Sequence, residues 1–316
     1  MLSTDGWNEL KSQELNELLA FRIPVVEVVS GSANLHTQNS IGDPWQRRTV
    51  TERNNGRIAV SCVCRDVVHG LYNKGKDSGQ CPQHCSLIVM DFRFDPVDLG
   101  RRIKKVRATV TFSSLIQGEE DPEVDKIAPD GYFSVAPTTR REKVTKELEA
   151  TAGGNMWGAA DLGATLKRGK EVERDVTGAT TVRGAIETLG RSYGLPNTAS
   201  WTLLENAADR TGAPTAMRAA VLVKRNTSTD FQARFSVHIV PDSMSRLQTC
   251  FKSSPKDDPV LFKVDMPPTN KLRNYCKTTN EEHDDDETPM IDRLGDIDLE
   301  EFGDIIMSTV WAKNTA

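Results

Sequence analysis

Residues 231–240 read FQARFSVHIV, in which Phe231, Ala233, Phe235, Val237 and Ile239 alternate with Gln232, Arg234, Ser236 and His238. Successive side chains of an extended chain point to opposite faces, so this period of two puts one face against a core and leaves the other to solvent or a ligand. The preceding run, 219–223, is almost wholly apolar, as in a strand covered on both sides. Between the two, 225–230 is a polar turn of hairpin length. Upstream, Trp201, Leu203 and Glu205 share one strand face and Thr202, Leu204 and Asn206 the other, while 207–214 (AADRTGAP) has the residues of an ordered loop. Residues 180–240 are therefore expected to form four consecutive antiparallel strands at the centre of an all-β domain.

Further alternation lies upstream. In SLIVMDFRF (86–94), Ile88, Met90, Phe92 and Phe94 face one way and Leu87, Val89, Asp91 and Arg93 the other. In RIKKVRATVTF (102–112), Val106, Ala108, Val110 and Phe112 point inward. With DPVDLG as the turn between them, these read as a second hairpin whose sheet can face the first. The expected fold is mainly β: an antiparallel β-sandwich or barrel-like domain with one or two short helices and long loops. Residues 1–22 read as a helical lid, with Leu15, Leu18 and Leu19 on one face behind a Ser12 cap. The β domain is expected over 23–250, with 24–29 as a first strand, 36–55 irregular and anchored by Trp45, and 117–126 a loop. Residues 251–316 read as a Pro-rich, acidic, partly disordered segment, within which EEHDDDE (281–287) is a solvated linker. Residues 140–177 are open between a helical turn and strands. Their glycines break any long helix, and small residues alternating with charged ones suggest long, weakly apolar β-strands.

The run SWTLLENAADRTGAPTAMRAAVLVKR (200–225), together with DFRF and RRIKKVRATVTF, resembles a group of uncharacterised fungal proteins. The likeness covers the middle two thirds of the chain. It implies a fungal, intracellular setting and brings neither an activity nor catalytic residues.

A formal charge of −5 with a pI near 5.7 supplies no basic footprint for nucleic acid. No apolar run approaches the roughly 18 residues of a membrane-spanning helix. The first residues, MLSTDGWNELKSQELNELL, lack the apolar core of a signal peptide. A cytoplasmic chain is expected, and its six cysteines are then thiols or metal ligands in place of disulfides.

The densest chemistry is Cys62, Cys64 and His69 followed by Cys81, His84 and Cys85, within one hairpin-like excursion. Thiolates and imidazoles are zinc ligands, and four of them make a structural site. The spacing is not that of a paired zinc knuckle, and Cys62 and Cys64 read equally as small core hydrophobes. Zinc apart, no cofactor is expected. A second candidate is the polar side of the central strands, where Arg183, Glu187, Arg218, Arg234 and His238 would line a cavity if 140–177 covered them. His238 and Arg234 would be the catalytic candidates there, with Glu205 beside Trp201 a third; an imidazole serves as acid or base near neutral pH. Trp201, Arg218, Arg183 and Glu187 are the candidate ligand contacts. Motifs of the common nucleophile, phosphate-loop and dinucleotide enzymes are missing.

Three functions fit. The first is a β-sandwich binding protein whose partner is a small apolar molecule or another protein. The second is a cofactor-free cyclase or isomerase working in a β-lined cavity. The third is a membrane-active protein in which 140–190 forms amphipathic hairpins.

Overall fold

The computed structural model describes residues 36–54, 58–73, 83–97, 102–148, 168–190, 192–242, 257–276 and 289–306, with backbone alone at 136, 140–148 and 168–177. The chain divides into two units, Met1–Leu35 and His36–Ala316, and the fold below is that of the second. The expected N-terminal helix, the strand at 24–29 and the acidic run at 281–287 lie outside the described residues.

Among the described residues, twelve strands form two antiparallel six-stranded sheets. They are β1 (Thr49–Asn54), β2 (Ile58–Leu71), β3 (His84–Pro96), β4 (Ile103–Ser114), β5 (Glu123–Ala128), β6 (Gly131–Leu148), β7 (Arg168–Glu187), β8 (Thr198–Leu204), β9 (Ala216–Arg225), β10 (Phe231–Pro241), β11 (Val260–Phe262) and β12 (Asp304–Ile306). The front sheet runs β11-β10-β4-β8-β7-β6; the back sheet runs β1-β2-β3-β9-β12, with β5 also paired to β9. The expected antiparallel sandwich is the fold observed, and its helical content among the described residues is three short 3-10 turns between Met290 and Phe302.

Strand positions follow the sequence closely, whereas sheet membership departs from it. β3 and β4 are not a hairpin: β3 pairs with β2 and β9, and β4 with β10 and β8, so the chain crosses between the sheets after Pro96. The residues that alternate with their apolar rows explain why. Leu87 and Val89 bury the second face of β3, while β4 offers Lys105, Arg107 and Thr109 on its own. A strand apolar on both sides belongs where both sides are covered. β9 is apolar on both faces for the same reason and lies in the back sheet, so residues 180–240 are not one four-stranded meander. Residues 117–126 are not entirely loop either: β5 lies against β9 because Val124 and Ile127 fill the inter-sheet core.

The inner layer is aromatic. Phe231 and Phe262 stack at 4.9 Å, and Phe92 of the back sheet meets Trp201 of the front at 6.1 Å. Trp201 is fully buried, and its Nε1 donates to the Pro129 carbonyl at 3.1 Å, satisfying the one polar atom it brings into the core.

A second apolar layer lies behind the back sheet, where Val68, Cys85, Leu87, Val89 and Leu222 pack against Tyr275, Leu294, Leu299 and Phe302. The C-terminal segment expected to be partly disordered is thus, at 269–275 and 289–303, the cover of an apolar sheet face. Asp66 fastens it. The register of β2 on β3 shifts between Cys64 and Asp66, and this bulge turns the Asp66 carboxylate, fully buried, toward the cover. It accepts from Thr269 Oγ1 at 2.7 Å, Lys271 N at 2.8 Å, Leu272 N at 3.0 Å and Tyr275 Oη at 3.1 Å. Burial pushes the Tyr275 phenol well up, and the facing carboxylate adds to the shift, so the hydroxyl stays a donor.

Replacing Asp66 by Ala strands four donors in an apolar layer. The expected cost is about 3 kcal/mol, read as a lowered urea midpoint, together with new protease cleavage near 269–275.

Candidate functional site

Two features of the front sheet have no counterpart in the back sheet: a two-stranded ribbon that outruns it, and an outer face that nothing described covers. The ribbon comes from the lengths of β6 and β7. They pair from Gly131↔Gly184 to Leu148↔Arg168, whereas β8 ends at Leu204 opposite Thr181. From Thr138↔Gly178 outward, β6 and β7 therefore pair only with each other among the described residues. The stretch 140–148, open between helix and strand in the sequence, is strand.

The ribbon leaves the sandwich at a built corner. The β6 register shifts between Val135 and Thr138. Asn206, buried in the β8–β9 loop, donates from Nδ2 to Thr138 Oγ1 at 2.8 Å and to Asp209 Oδ2 at 3.1 Å, and Thr138 Oγ1 also donates to Asp209. Asn206 Oδ1 accepts from Ala208 N at 3.0 Å. A Cβ on Gly178 would collide with Asn206 Oδ1, so the glycine admits the loop that holds the ribbon's base.

The outer face of the front sheet carries cross-strand rows. One runs His238, Arg107, Thr202, Arg183 and Tyr132; another runs Arg234, Thr111, Thr198 and Glu187. Glu187 accepts from Arg107 Nη2 through both carboxylate oxygens, at 2.9 and 2.7 Å, and takes the Ser200 hydroxyl at 2.8 Å. Arg183, Arg234 and His238 are exposed. These residues would line a cavity if 140–177 covered them; the described parts of that region, 140–148 and 168–177, continue the sheet as strands of β6 and β7.

The other predicted residues are dispersed. Arg218 lies in the back sheet, on its outer side, where Nε donates at 2.8 Å to Asp91, which also takes Arg65 at 2.5 Å. It does not share a face with Arg183 or His238. Trp201 is sealed in the core, and Glu205 is held by Arg102 at 2.9 Å. The cysteine–histidine cluster is split by the back sheet: Cys62 and Cys64 face the inner core, Cys85 the outer layer, and Cys81 lies outside the described residues. Burial pushes the Cys64 and Cys85 thiols up to about 12 and Cys62 well up, whereas a metal ligand must be a thiolate. Cys62, Cys64, Cys85 and Cys276 are free thiols. No group of three or more metal-binding side chains occurs among the described residues. His69 is a core histidine, bonded to Gln46 Nε2 at 2.7 Å and Ser86 Oγ at 2.8 Å and edge-on to Phe231. A polar cleft of about 10 Å³ beside Arg225, Thr227 and Phe231 has room for about one water.

The ribbon corner escaped the sequence reading. Its one visible trace was Asn206 directly before a turn-rich stretch.

No helix among the described residues is long and apolar enough to cross a membrane. No family model matches the chain, and none of the curated proteins matches it. Among solved structures, the chain is similar to Clostridium perfringens delta-toxin, at 11% identity and a TM-score of 0.26, over 59% of this chain and 84% of that one. It is also similar to the Clostridium perfringens NetB toxin in its membrane-inserted form, at 7% identity and a TM-score of 0.24, over 61% and 83%.

Burial, with the Arg225 charge behind it, lowers His69 from 6.5 to about 3. Between those values the unfolded chain binds a proton that the folded one does not, so stability is intact above pH 6.5 and is lost as the pH falls. The slope is about 1.4 kcal/mol per pH unit. Urea unfolding from pH 7 to 4 should show it, and His69→Gln should flatten the slope by that amount.

Proposed function

We propose that this protein is membrane-active, with the β6–β7 hairpin as the inserting element. The observation that carries the reading is the ribbon outrunning its sheet. The arms Thr138–Leu148 and Arg168–Gly178 are eleven residues each, about 36 Å of strand. A two-stranded ribbon is marginal in water alone, and each outer edge presents unpaired backbone groups. Such a ribbon becomes stable when further strands pair with it. In a bilayer, where no water satisfies the backbone, closure into a barrel with ribbons from other copies is the arrangement that leaves no edge.

The sequence between the arms supplies the apolar part. Residues 150–166, ATAGGNMWGAADLGATL, contain one charged residue, Asp161, while the arms beside them are dense in Arg, Lys, Glu and Asp. By length alone, these residues would supply about seven to each side of a two-residue turn, and the ends of the arms would complete the 9–11 that a tilted strand needs to cross the hydrocarbon core. The charged arms then remain in water, above the bilayer or facing a lumen.

The cavity-enzyme reading has less support, since Arg234 and His238 stand on an open sheet face. A soluble binding protein needs only the sandwich and leaves the ribbon's length unexplained. The four free thiols among the described residues fit a reducing, cytoplasmic setting, and in that setting the chain would meet the cytosolic leaflet.

Liposomes loaded with a self-quenched dye provide the test. The intact protein at micromolar concentration is expected to release the dye. A variant with 149–167 replaced by Asn-Gly, a two-residue hairpin turn, is expected to keep the native circular dichroism and release none. No release by the intact chain, or equal release by the shortened one, would overturn the proposal.

A further inference from the structure

The geometry points to the outer face of the front sheet as an electrostatic docking surface for membranes that contain anionic phospholipid. The two sheets differ in what their outer faces need. The back sheet is apolar outside and is covered by the C-terminal segment; the front sheet is polar outside, and none of the described residues covers it. On this face, among the residues whose side chains are described, the outward positions of β10, β4, β8 and β7 carry Arg234, Lys105, Arg107 and Arg183 against one carboxylate, Glu187, which Arg107 already neutralises. Arg183 and Arg234 have no acidic partner among the described residues. They stand on strands three positions apart, about 14 Å across the sheet, with hydroxyl-bearing Thr109, Thr202 and Ser236 in the rows near them.

A surplus of cations on one face of a chain whose net charge is −5 is an orientation device. An anionic surface attracts this face and repels the remainder. Guanidinium groups match phosphate and carboxylate oxygens in two-point contacts, and hydroxyls donate to the same oxygens. The openness of the face selects the partner. A free phosphate or a single small anion is held in a concavity by convergent donors, whereas spaced cations on a flat sheet suit a surface of many headgroups. The cytoplasmic leaflet is such a surface. The inference rests on the proposed membrane activity in one respect: the ribbon continues β6 and β7, so docking this face brings the inserting element to the bilayer.

Vesicle flotation tests it without requiring insertion. The protein is expected to float with vesicles of phosphatidylcholine mixed with phosphatidylserine and not with phosphatidylcholine alone, and raised salt should release it by screening. Arg183→Gln and Arg234→Gln should each weaken binding about fivefold, while Lys271→Gln, a loss of equal charge outside the back sheet, should change it less than twofold. Equal binding to phosphatidylcholine alone, or arginine variants that bind as the parent does, would overturn the inference. Release by inorganic phosphate at matched phosphate concentration would assign the patch to the free anion and overturn it as well. The variant with the shortened hairpin should still float, so a failure of dye release with flotation intact removes the proposed insertion and leaves this docking face standing.

Discussion

The back sheet has two apolar faces, and the rest of the molecule is a response to that fact. β3 and β9 bury residues on both sides, so one sandwich partner cannot satisfy them. The inner side meets the aromatic core around Phe92 and Trp201, and the outer side meets Tyr275, Leu294 and Phe302. Apolar area contributes about 25 cal/mol per Å² removed from water, a term without direction. Direction comes from Asp66, whose carboxylate accepts four bonds from one short segment and so sets where the cover lies. A buried carboxylate is tolerable only when its lone pairs are used in this way.

The asymmetry between the sheets follows. With the C-terminal segment packed on the back sheet, the front sheet has no third layer among the described residues and needs none, because β4, β8 and β10 alternate between core residues and polar ones. Its outer face is free to meet a partner, and its edge is free to extend. Both candidate features therefore belong to one sheet, and the ribbon is continuous with the strands that carry Arg183 and Glu187. The corner at Asn206, Thr138 and Gly178 marks where packed sheet gives way to a ribbon held by its own backbone pairs.

The residues best suited to chemistry were drawn into structure. His69 lies between Gln46 and Ser86 and stays neutral, and burial keeps the thiols of Cys64 and Cys85 protonated despite the arginine charge near each. Their proximity in sequence was real, but β2 and β3 deliver them to opposite sides of one sheet. The bulge between Cys64 and Asp66 adds to this by exchanging the faces of the β2 residues that follow it, Asp66 and His69 among them.

Local alternation determined the strands at 86–94, 102–112, 219–223 and 231–240, because the period of two is imposed by backbone geometry alone. It also determined which side of each strand is core, as at Phe231 and Phe112. Which strands share a sheet was not local. Pairing is chosen by the covering that each face finds, and that depends on residues far away in the chain, such as Tyr275 behind Leu87 or Pro129 over Trp201. The separation of Arg218 from Arg183, the open face above Arg234 and His238, and the point at which β8 stops and the ribbon continues alone were all decided by tertiary structure, since each is a relation between strands and not a property of one.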